Sequence, residues 1–245
     1  MKFGMVVAWL SLSAGALAQN DAAFDVVSIR TTGPGAEGSS AEMYPGRFRG
    51  LNRTVEWLMR IAYGVQPAQI QNLPSWARSD GFDIDARAES PALADKKKME
   101  GAAPVLLRGL LEDRFSLKVH RESRQATVSV LVVHKNGARL KPAAGSRSEM
   151  SNNMRDGKMV LTAEAIPLAN LVSLLSRQLG HPVTDKTGLE GLFDFTLGWA
   201  PEQLPDATAA SIFSAIQEQL GLRIETSKGT VEVLVVDSVA RPSAN

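Results

Sequence analysis

The sequence predicts an α+β fold made of two tandem strand–helix–strand–strand–helix–strand–strand modules. Three observations carry that expectation. Residues 127–133 read Thr-Val-Ser-Val-Leu-Val-Val and residues 230–236 read Thr-Val-Glu-Val-Leu-Val-Val, differing only at Ser129 against Glu232. A series of further matches precedes each copy in the same order. Stretches with the helical period alternate with stretches of strand character in both halves. An internal duplication accounts for all three.

Residues 1–18 stand outside that pattern. Lys2 supplies a short basic start, Met5 to Leu12 is mostly apolar, and Ala16-Leu17-Ala18 has the small-x-small form of a cleavage site. That is the form of a secretory signal peptide. The domain expectation is therefore a signal peptide at 1–18, a first α+β module at 19–142 and a linker at 143–156. A second α+β module follows at 157–240, with a tail at 241–245. The rest of the chain is expected to be exported, to a periplasm or outside the cell, with no membrane span.

Phe24 to Ile29 predicts an extra strand ahead of the first module. Gly46-Arg47-Phe48 then corresponds to Gly157-Lys158-Met159, each leading into an apolar helical stripe. Val55, Leu58, Met59 and Ala62 form the first stripe; Leu168, Leu171, Val172 and Leu175 repeat its spacing. Thr54 opens the first helix and Pro167 the second, where a missing N–H costs nothing. Phe82-Asp83 and Phe193-Asp194 fall inside matching strands. Second helices follow, with Leu106, Leu107 and Leu110 answered by Ile212, Phe213 and Ile216, and with Ser211 as an N-cap. Leu117-Lys118-Val119 matches Leu222-Arg223-Ile224, and each of these segments is expected to turn back and pair with the Val-rich strand of its own module. Ser227-Lys228-Gly229 is read as the second of those turns. Residues 31–45, 88–104, 141–157 and 200–210 have connector composition, and Lys96-Lys97-Lys98 reads as part of a solvated loop.

Charge narrows the function classes. The chain holds 27 basic and 26 acidic residues, so it has no global field for nucleic acid or an anionic surface. It has no cysteine, which removes disulfides, thiol catalysis and thiolate metal sites. Nucleophile elbows, P-loops and zinc-peptidase helices are absent from the sequence. Asp185-Lys186-Thr187-Gly188 copies the start of the phosphorylated-aspartate motif of P-type pumps, but it reads as a turn between helix and strand. Asp83 and Asp85 share a strand face and, with no catalytic partner in view, read as solvent-side residues. His120 and Glu122 share a strand face and would need a third ligand from a neighbouring strand to bind metal. Their expected role is surface pairing, and no metal, cofactor or catalytic residue is assigned. His134 is expected in solvent and His181 in a loop. The candidate binding residues are Trp57, Tyr63 and Trp76, an aromatic group able to line a groove for a peptide or glycan. Packing of a helix edge under a loop is the reading favoured over that groove.

Several spans resemble the soil-associated family of bacterial secreted proteins. They are Phe24–Arg30, Ala62-Tyr63-Gly64-Val65, Asp185–Leu189, Phe193-Asp194-Phe195, Gln217–Leu222 and Val231–Val236. That resemblance implies export and a fold, but no reaction. Similar domains are fused to membrane zinc peptidases of the antibiotic-sensor type, whose peptidase motif and membrane helices this chain lacks. A looser likeness, from the strand, the helix starting Ile166-Pro167-Leu168 and the strand ending at Phe195, is to the short N-terminal domain of secretins and TonB-dependent receptors. Those domains are protein-interaction modules. The leading expectation is an exported, non-catalytic protein or peptide binder. A sensory or regulatory partner of a membrane zinc peptidase is the second expectation, and an unrecognised hydrolase the third.

Overall fold

A computed structural model describes residues 23–33, 36–200 and 210–242; the segment read as a signal peptide lies outside them. Its elements run β1 (Val26–Thr31), β2 (Ser40–Tyr44), β3 (Arg47–Arg53), α1 (Val55–Tyr63), β4 (Ile70–Gln71), α2 (Ser75–Ser79), β5 (Phe82–Arg87), α3 (Lys96–Phe115) and β6 (Lys118–Val133). The second half continues with β7 (Lys141–Pro142), β8 (Glu149–Arg155), β9 (Lys158–Pro167), α4 (Leu168–Leu179), β10 (Val183–Asp185), β11 (Leu192–Trp199), α5 (Ile212–Ala215) and β12 (Leu222–Ser238). α5 runs on into a π-turn over Ile216–Leu220. The α+β class predicted from the sequence is the one observed. Among the described residues, no helix is long and apolar enough to cross a membrane.

Among the described residues the strands form three four-stranded sheets, ordered β1-β5-β3-β2, β10-β6-β12-β4 and β7-β11-β9-β8. The first and third are antiparallel throughout. Each turns one apolar face to helices: β5 buries Phe82, Ile84 and Ala86, while β11 buries Phe193, Phe195, Leu197 and Trp199. The residues between them point the other way, the alternation of a sheet covered on one side. The helical stripe of α1 lies wholly in the core, since Val55, Leu58, Met59 and Ala62 are all buried. Thr54 caps that helix by accepting from the Trp57 N–H at 3.1 Å. In α4 the stripe buries Leu168, Leu171 and Leu175, with Val172 only half-buried. Phe213 departs from the expected stripe and is 48% exposed, the buried face of α5 and its π-turn being Ile212, Ala215, Ile216 and Leu220.

The middle sheet corrects the expected closing hairpins. β6 and β12 are each one uninterrupted strand, and they pair antiparallel with each other from Leu222↔Val133 to Ser238↔Lys118. Ser227-Lys228-Gly229 is no turn; it lies extended in mid-ribbon opposite Ala126–Val128. Each long strand leaves one half and ends in the core of the other. Leu234 and Val236 pack with α1 and α3 residues such as Leu58 and Leu106, whereas Leu131 packs with Leu171 and Trp199. β4 adds in parallel to β12, and β10 in parallel to β6, so each short strand also crosses over. The two repeated Val-rich segments therefore close each other's cores.

Three segments of connector composition hold regular structure, the first being 31–45, which contains β2. The polar stretch 143–156 contains β8, whose backbone pairs with β9 along its whole length. α3 begins at Lys96, so the three lysines form its first turn, and Asp95 caps it by accepting from the Lys98 N–H at 3.0 Å. Asp185–Gly188 joins two strands, β10 and β11, rather than a helix and a strand as expected; Asp185 ends β10, and its Oδ1 accepts from the Thr187 N–H and hydroxyl, both at 2.8 Å.

Candidate functional site

The matched Phe-Asp pairs explain how each outer sheet bends. In β3, Leu51 and Asn52 stand opposite the single residue Asp83; in β9, Glu164 and Ala165 stand opposite Asp194. Each is a β-bulge whose second residue is left-handed, with φ 50° at Asn52 and 48° at Ala165. A bulge leaves a backbone N–H without a ladder partner. Asp83 Oδ1 accepts the Asn52 N–H at 3.0 Å, and Asp194 Oδ1 accepts the Ala165 N–H at 2.8 Å. The remaining capacity ties down the chain beside the sheet, through the Thr32 hydroxyl at 3.0 Å and the Ala144 N–H at 3.3 Å. The two aspartates thus have a structural role that a solvent-side reading of Asp83 does not supply.

Above each bulge the open sheet face is concave. On the third sheet a cleft of about 550 Å³ is lined by Arg139, Lys141, Arg147, Glu164, Asp194 and Thr196, among others. On the first sheet a cleft of about 580 Å³ is lined by Arg30, Arg49 and Arg87 with Asp83, Asp85 and Ser28. Arg47 grips Asp85 through two guanidinium nitrogens, and that contact holds the Asp85 carboxyl below the usual carboxylate range. Both clefts mix cations, carboxylates and hydroxyls. Such a lining suits a ligand that offers donors and acceptors in alternation, as an extended peptide does. Neither lining contains a histidine or cysteine.

The aromatic candidates lie elsewhere. The Arg53 guanidinium sits 4.4 Å from the Trp57 ring, Arg108 sits 5.4 Å from Tyr63, and Arg241 sits 4.9 Å from Trp76. Trp76 also meets Phe82 edge-on at 6.4 Å. All three aromatics pack half-buried against the first core, and burial raises the Tyr63 phenol above its ordinary pKa. Among the described residues no ring–ring contact joins them to one another. Each is engaged by its own arginine, as helix-edge packing requires.

His120 has the third neighbour that the sequence did not reveal. Its Nε2 lies 3.0 Å from Glu122 and its Nδ1 lies 2.9 Å from Asp237 on β12. The carboxylates meet opposite ring nitrogens, so the donors do not converge on one point as a metal requires. No cluster of metal-ligating residues occurs among the described residues. Ionised carboxylates only accept hydrogen bonds, so the arrangement favours the protonated imidazole as a bridge between them. The hydrogen bond to Glu122, and then that to Asp237, raises the His120 pKa above 6.5 and lowers that of Glu122. The folded pKa is raised, so the bridge is fully present below the unfolded value of about 6.5 and is lost as pH rises through the folded one. An NMR titration should place the His120 midpoint above 6.5, and Glu122→Gln should lower it more than Asp237→Asn does. A wild-type midpoint at or below the unfolded value would refute the bridge.

Ser129 is buried, at 8% exposed, and its Oγ lies 2.8 Å from His181 Nε2. His181 Nδ1 is 2.8 Å from the Leu179 carbonyl and so carries a proton, and in the neutral imidazole Nε2 then accepts from the Ser129 hydroxyl. That is the hydrogen bonding of a serine–histidine nucleophile. Here it joins the end of α4 to β6, and neither cleft includes either residue. Its counterpart Glu232 is exposed and pairs with Arg121.

Residues 56–239 match the family model described as Protein of unknown function (DUF3738). No curated protein and no solved structure matches the chain. The cleft of the third sheet falls wholly inside the matched span. The cleft of the first sheet draws Val26, Ser28, Arg30, Arg49 and Leu51 from outside it.

Proposed function

The chain belongs to the DUF3738 family of proteins of unknown function, and on that footing we propose that it is a non-catalytic binding protein whose ligand is a protein or peptide. The observation that carries this reading is the open face of the third sheet, a concave surface lined by Arg139, Lys141 and Arg147 beside Glu164 and Thr196. Helix α4 packs on the opposite face, and Gln219 and Leu220 of the π-turn border the cleft. Charges of both signs in one shallow cleft favour recognition of a polar extended segment over a compact small molecule, which calls for a more enclosed apolar site. Export is part of the same proposal, supported by the leader-like residues 1–18 and by the resemblance to secreted soil-associated proteins. The two halves are proposed to descend from one duplicated unit, with the paired bulges at Asp83 and Asp194 in support.

Affinity capture from envelope and culture extracts tests the reading, using the protein and a Lys141→Glu/Arg147→Glu variant. A partner retained by the first and lost by the second is the expected result. Equal retention by both, or no retention above control, overturns it.

A further inference from the structure

We propose that β8 is the interface between two copies of this chain, joined antiparallel about Asn152 into one continuous eight-stranded sheet. Edge strands are usually protected by proline, lysine, a bulge or a covering helix. The strand Glu149–Arg155 has none of these: it contains no proline or lysine, its pairing with β9 is unbroken, and all seven residues are exposed. The corresponding edge strand of the first sheet, β2, is covered differently. Ala41 and Met43 pack against the first core, with α3 alongside.

Which backbone groups face outward follows from the hairpin. Asp156 and Gly157 both have positive φ, 50° and 72°, the mark of a two-residue type I′ turn. In such a hairpin the flanking residues, Arg155 and Lys158, form a hydrogen-bonded pair. Bonding then alternates along the strand, so the backbone groups of Asn153, Ser151 and Glu149 turn inward to β9 together with those of Arg155. The N–H and C=O groups of Met150, Asn152 and Met154 point away from β9.

The side chains then select the occupant. Written against itself about Asn152, Glu-Met-Ser-Asn-Asn-Met-Arg sets Glu149 opposite Arg155, Met150 opposite Met154, and Ser151 opposite Asn153. The two-fold axis makes each pairing twice, the self-complementarity that an isologous dimer needs. Glu149 and Arg155 fall in non-hydrogen-bonded pairs, where facing side chains approach most closely. Glu149 already has Arg147 at 2.9 Å on its own chain, so in the dimer its carboxylate lies between two guanidinium groups. Met150 and Met154 are 37% and 60% exposed although they stand on the helix-side face, opposite Ala163 and Met159. Two copies would place four such methionines in one strip and shield them from water.

Sedimentation velocity over a concentration series tests this with the purified protein and its variants. Asn152→Pro removes an outward N–H while leaving the β9 ladder intact, a substitution that edge strands tolerate. It should abolish the dimer without changing the circular dichroism spectrum. Glu149→Arg and Arg155→Glu should each weaken dimerisation by roughly tenfold or more, because like charges then face each other at two places. The combined Glu149→Arg/Arg155→Glu variant should restore it. A wild-type protein that stays monomeric throughout, a dimer indifferent to Asn152→Pro, or a combined variant no better than its parents each overturns the proposal.

Discussion

Replacing Gly221 with alanine is expected to destabilise the protein by roughly 2–5 kcal/mol, measured as the shift in urea or thermal unfolding. Two effects add. Gly221 caps the π-turn after α5 with φ 65°, a conformation that costs an L-residue about 1–2 kcal/mol. A Cβ there would also lie 2.2 Å from the Gly137 carbonyl oxygen and 3.0 Å from the Arg139 nitrogen, both backbone atoms. The loop cannot simply yield, because the His134 N–H donates to the Gly221 carbonyl at 2.9 Å and the Arg139 N–H to that of Leu220 at 2.8 Å. Gly180 supplies the control. It caps α4 with φ 67° but has nothing within 4 Å of a built Cβ, so Gly180→Ala should cost only the conformational part. Equal losses at the two sites would show that the contact with Gly137 does not constrain the fold.

The helices were legible because a stripe such as Val55, Leu58, Met59 and Ala62 has one physical meaning at that spacing. The destination of the long strands was not. A segment such as Val128–Leu131, buried on both faces, reads the same whichever core receives it. Gly229 added to the error, since glycine after Ser-Lys is a turn signal. Its reason here is crowding: a Cβ at 229 would lie 2.9 Å from Val128 Cγ2, across the ribbon. β8 was missed because Ser-Asn-Asn has little strand propensity, and its strand character comes from pairing with β9.

The candidate site was legible only at Asp83 and Asp194, and there for the wrong reason. Their match between halves was visible, but the bulge each one satisfies exists only once the strands are paired. Arg139, Lys141 and Arg147 are separate cations in and beside a stretch of connector composition, with no period to relate them. The third sheet brings them to one face with Glu164 and Thr196, which lie on β9 and β11. The three aromatics lie close in sequence, but Arg53, Arg108 and Arg241 engage their rings one by one, a placement that sequence proximity does not disclose.

Strand exchange through the ribbon makes a second large prediction. Leu234 belongs to the last strand of the chain, yet it is 1% exposed within the core formed by α1 and α3. Leu131 belongs to the first half and is fully buried with α4 and β11. Leu→Ala at either position should cost about 2–5 kcal/mol, the transfer free energy of the lost atoms plus that of the cavity left behind. The location of the damage discriminates between architectures. Leu234→Ala should lower amide hydrogen-exchange protection most in α1 and α3, which are far from it in sequence, and least in α4. Leu131→Ala should do the reverse. If each substitution instead loosened only the helices of its own half, the crossing of β6 and β12 would be wrong. With the crossing in place, neither outer sheet can close its core without the far end of the other half's strand, and this ties the two clefts to one folding unit.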